Sequence, residues 1–247
     1  MVHLLNTYQT GVATWMDIFD HDCSYQREVL RRCTTSELLV RSVCAFTAKN
    51  LSLHPSGDVW SAAAARYYGE SLRILIDYLD RDRAHEDALT AAMLLCSYEM
   101  IASQGLEHRR HLYGAMILVV HRGVDASSAG LDRANFWIYI RHEITVALFH
   151  KTTLQISPDK WHVDWQQGQV GEDSMGNRLL WLLGRAIQVV YGRDVSTTMT
   201  WSDERRDIHA EAARWFDGRS LSFRGVKYGE PNDQGFSKLY FAIPSAG

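Results

Sequence analysis

At 247 residues, with 46% hydrophobic and 22% charged residues, the chain is long enough to bury a core and has the composition of a folded globular protein. Its 26 basic and 29 acidic residues leave a net charge of −3, which excludes the overall positive field that draws phosphate backbones, so no direct nucleic-acid partner is expected. No apolar run approaches the roughly 18 residues of a membrane span and "MVHLLNTYQT" carries no basic-then-apolar leader, so no membrane association and an intracellular, cytoplasmic location are expected.

Long stretches place apolar residues three and four apart, and only four prolines interrupt them, which predicts helix rather than strand. The first such stretch is Leu4, Tyr8, Val12, Trp15 and Phe19. A second follows "TTSE", where Thr34 and Glu37 are spaced as a capping box, and runs through Leu39, Val43 and Phe46 to the polar "HPSGD". The third, 59–80, puts Leu72, Leu75, Ile76 and Leu79 on one face. Further helices are predicted near 86–103, 108–121, 132–153, 173–191 and 203–217, separated by "SQG", "RGVDASSAG", "ISPDKWHVDWQQGQVG" and "GRDVSTTMT". Mostly short connections imply antiparallel neighbours. The expectation is an all-α fold: a single multi-helix domain over 1–217 and an irregular tail, 218–247, packed on it.

The four cysteines, Cys23, Cys33, Cys44 and Cys96, form no C-x-x-C pair and read as reduced structural thiols. His108 and His111 stand one helical turn apart, but no Cys, Asp or Glu is spaced to complete a metal set, and no metal site is expected. There is no G-x-G-x-x-G, no G-x-x-x-x-G-K-[ST] and no G-x-S-x-G, so neither a nucleotide cofactor nor a nucleophile-elbow hydrolase has support, and no cofactor is expected.

"FWIYIRHEITVALFHKTTLQI", 136–156, is the most informative segment, because Arg141, His142, Glu143 and His150 interrupt an otherwise apolar helix. At about 100° per residue, Tyr139, Glu143 and His150 share one stripe with Phe136, Val146 and Ala147, while Arg141 falls nearly opposite, among Trp137, Thr145 and Leu148. A helix apolar all round belongs in the middle of a domain, where a lone charge costs several kcal/mol unless it finds a partner, a shifted pKa or a pocket. Glu99, beside Ala88, Ala92 and Leu95, and His111, near Gly114, Ala115 and Leu118, have the same character. Glu99 and Glu143 could thus pair internally with Arg141, His111 and His150. Satisfied core pairs are one explanation. A pocket for a mostly hydrophobic small molecule, with Tyr, Trp, His and Arg around it, is the other.

"LLNTYQTGVATWMDIFD", "YYGESLRILI", "DALTAAMLLCSYEMI", "HLYGAMILV" and above all "FWIYIRHEITVAL" followed by "DKW" resemble the middle, regulatory domain of fungal zinc-cluster transcription factors. The likeness covers roughly residues 4–165, with "RWFDGRSLSFRGVKYG" a fainter continuation. It implies an all-helical, effector-sensing body behind a cysteine-rich DNA-binding module. This sequence has too few cysteines, too widely spaced, to build that module. Because the family's domain usually runs on past "FAIPSAG", a shortened body without its DNA-reading end is expected. The family supplies no catalytic residue set.

Two functions follow. One is a stand-alone, cofactor-independent cyclase of pericyclase type in fungal natural-product biosynthesis, where ordering a flexible substrate supplies much of the barrier reduction and a buried donor polarises a carbonyl. The other is a regulatory, effector-sensing domain acting through protein partners or a second copy as a homodimer, with a nuclear location. The first is preferred, with Tyr139, Glu143, His150 and Arg141 as catalytic residues and Glu99, His111, Trp137, Phe136 and Tyr98 against the ligand.

Overall fold

The structure, a computed structural model, describes residues 1–80, 86–102, 108–165, 171–192 and 198–241. The expected turn at "SQG", the charged "RDRAH" and "RDVST" therefore lie outside the described residues, as does the side chain of His108. The order is α1 (Val2–Thr10), α2 (Val12–Met16), a π-helical turn (Tyr25–Val29) running into α3 (Leu30–Arg32), α4 (Glu37–Ser52), α5 (Ser61–Asp80), α6 (Asp87–Ala102), α7 (His108–His121) and α8 (Gly130–His150). After these come α9 (Glu172–Tyr191), α10 (Thr198–Asp217), α11 (Leu221–Arg224) and a hairpin of β1 (Val226–Tyr228) and β2 (Lys238–Tyr240). The all-α expectation is met. Among the described residues no helix is long and apolar enough to cross a membrane.

Packing runs from neighbour to neighbour: α4 lies on α1, α5 and α6, α6 also on α7 and α8, α8 on α9, and α9 on α10. Spacing explains which faces meet. On α5 the buried residues Ala64, Tyr67, Ser71 and Leu75 recur every three or four positions, and Ser71 Oγ meets Ser42 Oγ of α4 at 2.6 Å. On α6 the sequence "DALTAAMLLCS" is buried throughout, so this helix is the axis of the bundle.

Three local expectations are corrected. The first apolar stretch is broken at Gly11, where φ −115° and ψ −105° leave the helical region and a Cβ would stand 2.7 Å from the Thr7 carbonyl oxygen. The cap of α4 is Ser36, whose Oγ accepts from Leu39 N at 3.4 Å, and not Thr34; the box spacing was present without its geometry. The tail is not wholly irregular: Val226 pairs with Tyr240 across an antiparallel hairpin, whose turn Asn232 closes by accepting the Gln234 and Phe236 amides. β-branched and aromatic residues favour such a ladder.

The connection after α8 shapes the site. Lys151, at φ 55°, ends the helix in the left-handed region, and the Thr152 amide donates back to Ala147 O at 3.0 Å. The chain then returns along the helix, burying Leu154 and Ile156, and is pinned by the fully buried Trp161, whose Nε1 donates to Ile156 O at 3.0 Å. Gly184 of α9 admits that indole, since a Cβ there would stand 2.7 Å from Trp161 Cη2.

Candidate functional site

α8 solves its buried charges in two different ways on its two sides. On the side facing the N-terminal helices, Arg141 donates to the carbonyls of Trp15 (3.1 Å) and Met16 (2.7 Å), which close α2, and its guanidinium lies over the Trp15 and Phe19 rings. Burial pulls it down to about 10, so it stays a cation at neutral pH. The adjacent His142, its ring stacked on Trp15, is held neutral by burial and by the Arg141 charge, which push it down to about 3. On the same helix Asn135 accepts from Tyr25 OH (2.6 Å) and donates to Thr90 Oγ1 (2.9 Å). Arg141 thus ties α8 to backbone carbonyls rather than to Glu99 or Glu143, and the structure does not bring it to Tyr139.

Glu143 points the other way. It is 2% exposed, and its Oε1 accepts the backbone amides of Gln155 and of Ile156 (3.2 Å), the returning strand of the post-α8 loop. Neither its Oε2 nor the hydroxyl of the fully buried Tyr139 makes a well-formed hydrogen bond, although the phenol stands close enough to the carboxyl to interact with it. Burial pushes the carboxyl up to about 7, while the neighbouring Tyr139 hydroxyl and the two amides work against that shift. Burial and the Glu143 charge push the Tyr139 phenol up in turn, so it remains a neutral donor.

A cleft of about 310 Å³ opens over this carboxyl, bounded by Arg109, Leu112 and Tyr113 of α7, by Glu143, Val146 and Ala147 of α8, and by Thr152, Thr153 and Gln155 of the loop. That volume is at the small end of ligand sites, and the lining is mixed: Leu112, Val146 and Ala147 are apolar, whereas Arg109, Tyr113, Glu143, Thr152, Thr153 and Gln155 bring polar groups. Glu143 borders this space with its Oε2 shielded from water, and a buried acceptor without a partner is a group that a hydrogen-bonding ligand can complete.

Tyr98, Glu99 and His111 do come together, but elsewhere. They surround Tyr68 of α5, which stacks on Tyr98 at 4.5 Å and places its hydroxyl 3.3 Å from His111 Nε2. Burial, then the neighbouring Glu99, push the Tyr68 phenol up. Glu99 therefore meets His111 through a tyrosine that the helix projections did not single out. Phe136 and Trp137 pack edge-on against Trp161, each at 6.1 Å between ring centroids, and do not border the Glu143 cleft. His150, the last residue of α8, stands edge-on to Phe149 at 5.1 Å and is likewise outside the cleft lining. Arg109, Thr152, Thr153 and Gln155 were missed: they lie on no apolar stripe, and only the tight turn at Lys151 brings the loop back to them.

Two other spaces differ in kind. The one beside Arg141 holds about 10 Å³, room for about one water. A surface groove of about 740 Å³ between α9 and α10 is lined mainly by Val189, Val190, Ile208 and Ala212.

Residues 3–167 match the family described as the fungal specific transcription factor domain. The match spans well over half of the 247 residues, and the chain belongs to this family. No curated protein and no solved structure gives a significant match. The matched span contains α2 to α8, all of α1 but its first residue, and every residue of the Glu143 cleft, whereas α9, α10 and the hairpin lie beyond it.

Proposed function

We propose that this member of the fungal transcription-factor family is a ligand-responsive regulatory body, and that its effector cleft is the space over Glu143. The observation that carries the reading is the divided carboxyl of a residue that borders the cleft: Oε1 is bound to the loop, and Oε2 is buried without a well-formed hydrogen bond. A molecule that engages Oε2 alters the group from which residues 155 and 156 hang. Those residues lead to Trp161, packed between α8 and α9. A ligand that favours one arrangement of this loop over another supplies the differential free energy that any regulatory response requires.

The test is a reporter in a fungal host driven by this chain fused to a heterologous DNA-binding module. Output should change with carbon or nitrogen source, and Thr153→Trp, which fills the cleft from an exposed loop position, should fix it at one level. Output that ignores the medium, or that responds equally well with the cleft filled, would rule the reading out.

A second reading, the cofactor-independent cyclase, is favoured by one feature: at neutral pH Glu143 still holds much of its proton, beside the neutral Tyr139 hydroxyl. Such a pair could polarise a substrate carbonyl in the cleft. Incubation with a linear polyene or polyketide precursor tests it; ring closure no faster than in buffer removes it.

A further inference from the structure

The chemistry of the cleft walls narrows the ligand class, on the premise that the cleft is the effector site. Two polar groups are placed on different walls. Arg109, in the first turn of α7, is exposed, borders the cleft and has no ion-pair partner among the described residues. Glu143, on α8, contributes the buried Oε2. Leu112, Val146 and Ala147 add hydrocarbon to the lining, and Tyr113, Thr152, Thr153 and Gln155 add further polar groups.

We propose that the cleft binds a small monocarboxylic acid with an apolar body and a second oxygen, the carboxylate pairing with Arg109 and the hydroxyl or carbonyl oxygen meeting Glu143 Oε2. A guanidinium matches a carboxylate with two parallel donors, and such charge-assisted pairs are the stronger kind of hydrogen bond. The count of charges selects a monoanion, because one arginine balances one negative charge, and a dianion would set its surplus charge beside the Glu143 carboxyl. Leu112, Val146 and Ala147 give the body of the ligand apolar contact, Thr152, Thr153 and Gln155 accommodate its oxygens, and the volume limits it to a small molecule. The orphaned Oε2 supplies specificity: an acid without the second oxygen leaves a buried polar group unpaired.

The experiment is titration calorimetry of the whole chain with 4-hydroxyphenylacetate and 3-hydroxyoctanoate, their methyl esters, their counterparts lacking the hydroxyl, and phenyl phosphate. At least one hydroxy acid should bind tenfold or more tightly than its ester and more tightly than its deoxy counterpart and phenyl phosphate. Arg109→Gln, an exposed change, should bring acid and ester to equal affinity. Acid and ester binding alike to the unaltered chain overturns the proposal, as does the absence of binding by every acid. The two readings fail separately. If esters bind and Thr153→Trp abolishes that binding, the acid class falls while the cleft stands; if nothing binds and the reporter ignores the medium, the cleft falls as well.

Discussion

The carboxylate of Glu143 on α8 accepts the backbone amide of Ile156, 3.2 Å away and thirteen residues on, so a single buried side chain fastens the loop that walls the cleft. Glu143→Gln keeps an acceptor for that amide and, at pH 5, where Glu143 is protonated in the folded chain, should fold with near-native stability. Glu143→Ala leaves buried amides without an acceptor and should cost about 2 kcal/mol, since each buried donor left unpaired costs roughly 1–3 kcal/mol. Urea unfolding of the two variants separates these outcomes.

The Glu143 contribution to stability should fall as pH rises. In the folded chain Glu143 keeps its proton up to about 7, against an ordinary value of 4.5, so the folded state binds more protons between those values. Below 4.5 the group costs nothing; the penalty grows through the window and is complete above 7, on the order of 3 kcal/mol. Asp17, pushed by burial from 3.8 to about 6 although it accepts the Tyr25 and Gln26 amides, adds in the same direction at lower pH. His142, pushed down from 6.5 to about 3, works the opposite way, its neutral buried ring costing stability below 6.5. The reading is therefore the comparison with Glu143→Gln: from pH 5 to pH 8 the unaltered chain should lose stability relative to that variant.

Arg141 has a structural task. Replacing it with Ala strips two donors from the carbonyls of Trp15 and Met16 and removes the guanidinium from the Trp15 face, which should cost about 2–4 kcal/mol. Ligand affinity at the Glu143 cleft, measured below the melting temperature, should be unchanged. A selective loss of binding without loss of stability would return Arg141 to the site.

At Gly184 the clearance is set by an indole. Gly184→Ala puts a methyl 2.7 Å from Trp161 Cη2 and should destabilise by about 1–3 kcal/mol through overpacking, with a shift in tryptophan emission. Unchanged emission and stability would mean that α9 does not press on Trp161.

The helices were legible because apolar periodicity is local, and Glu143 was legible because a carboxylate inside an apolar helix demands a solution. What supplies that solution was not. The amides of Gln155 and Ile156 reach Glu143 only after a left-handed residue, Lys151, that carries no glycine to announce it. The π-helical turn at 25–29 escaped notice because its leading amides are satisfied by Asp17 and Asp20, several residues earlier in the chain, instead of by an adjacent cap. Tyr68 was hidden for a third reason: its face of α5 looks merely amphipathic until α6 and α7 bring Glu99 and His111 to its hydroxyl.

The most direct test of the account is a methyl-detected NMR map of where small molecules bind. With Val146, Ala147, Thr152 and Thr153 labelled beside Val189 and Ile208, added hydroxy acids should shift the first four signals and leave the α9–α10 groove unmoved. Shifts confined to Val189 and Ile208, or none at all, would contradict the claim that the space over Glu143 is where this chain meets its ligand.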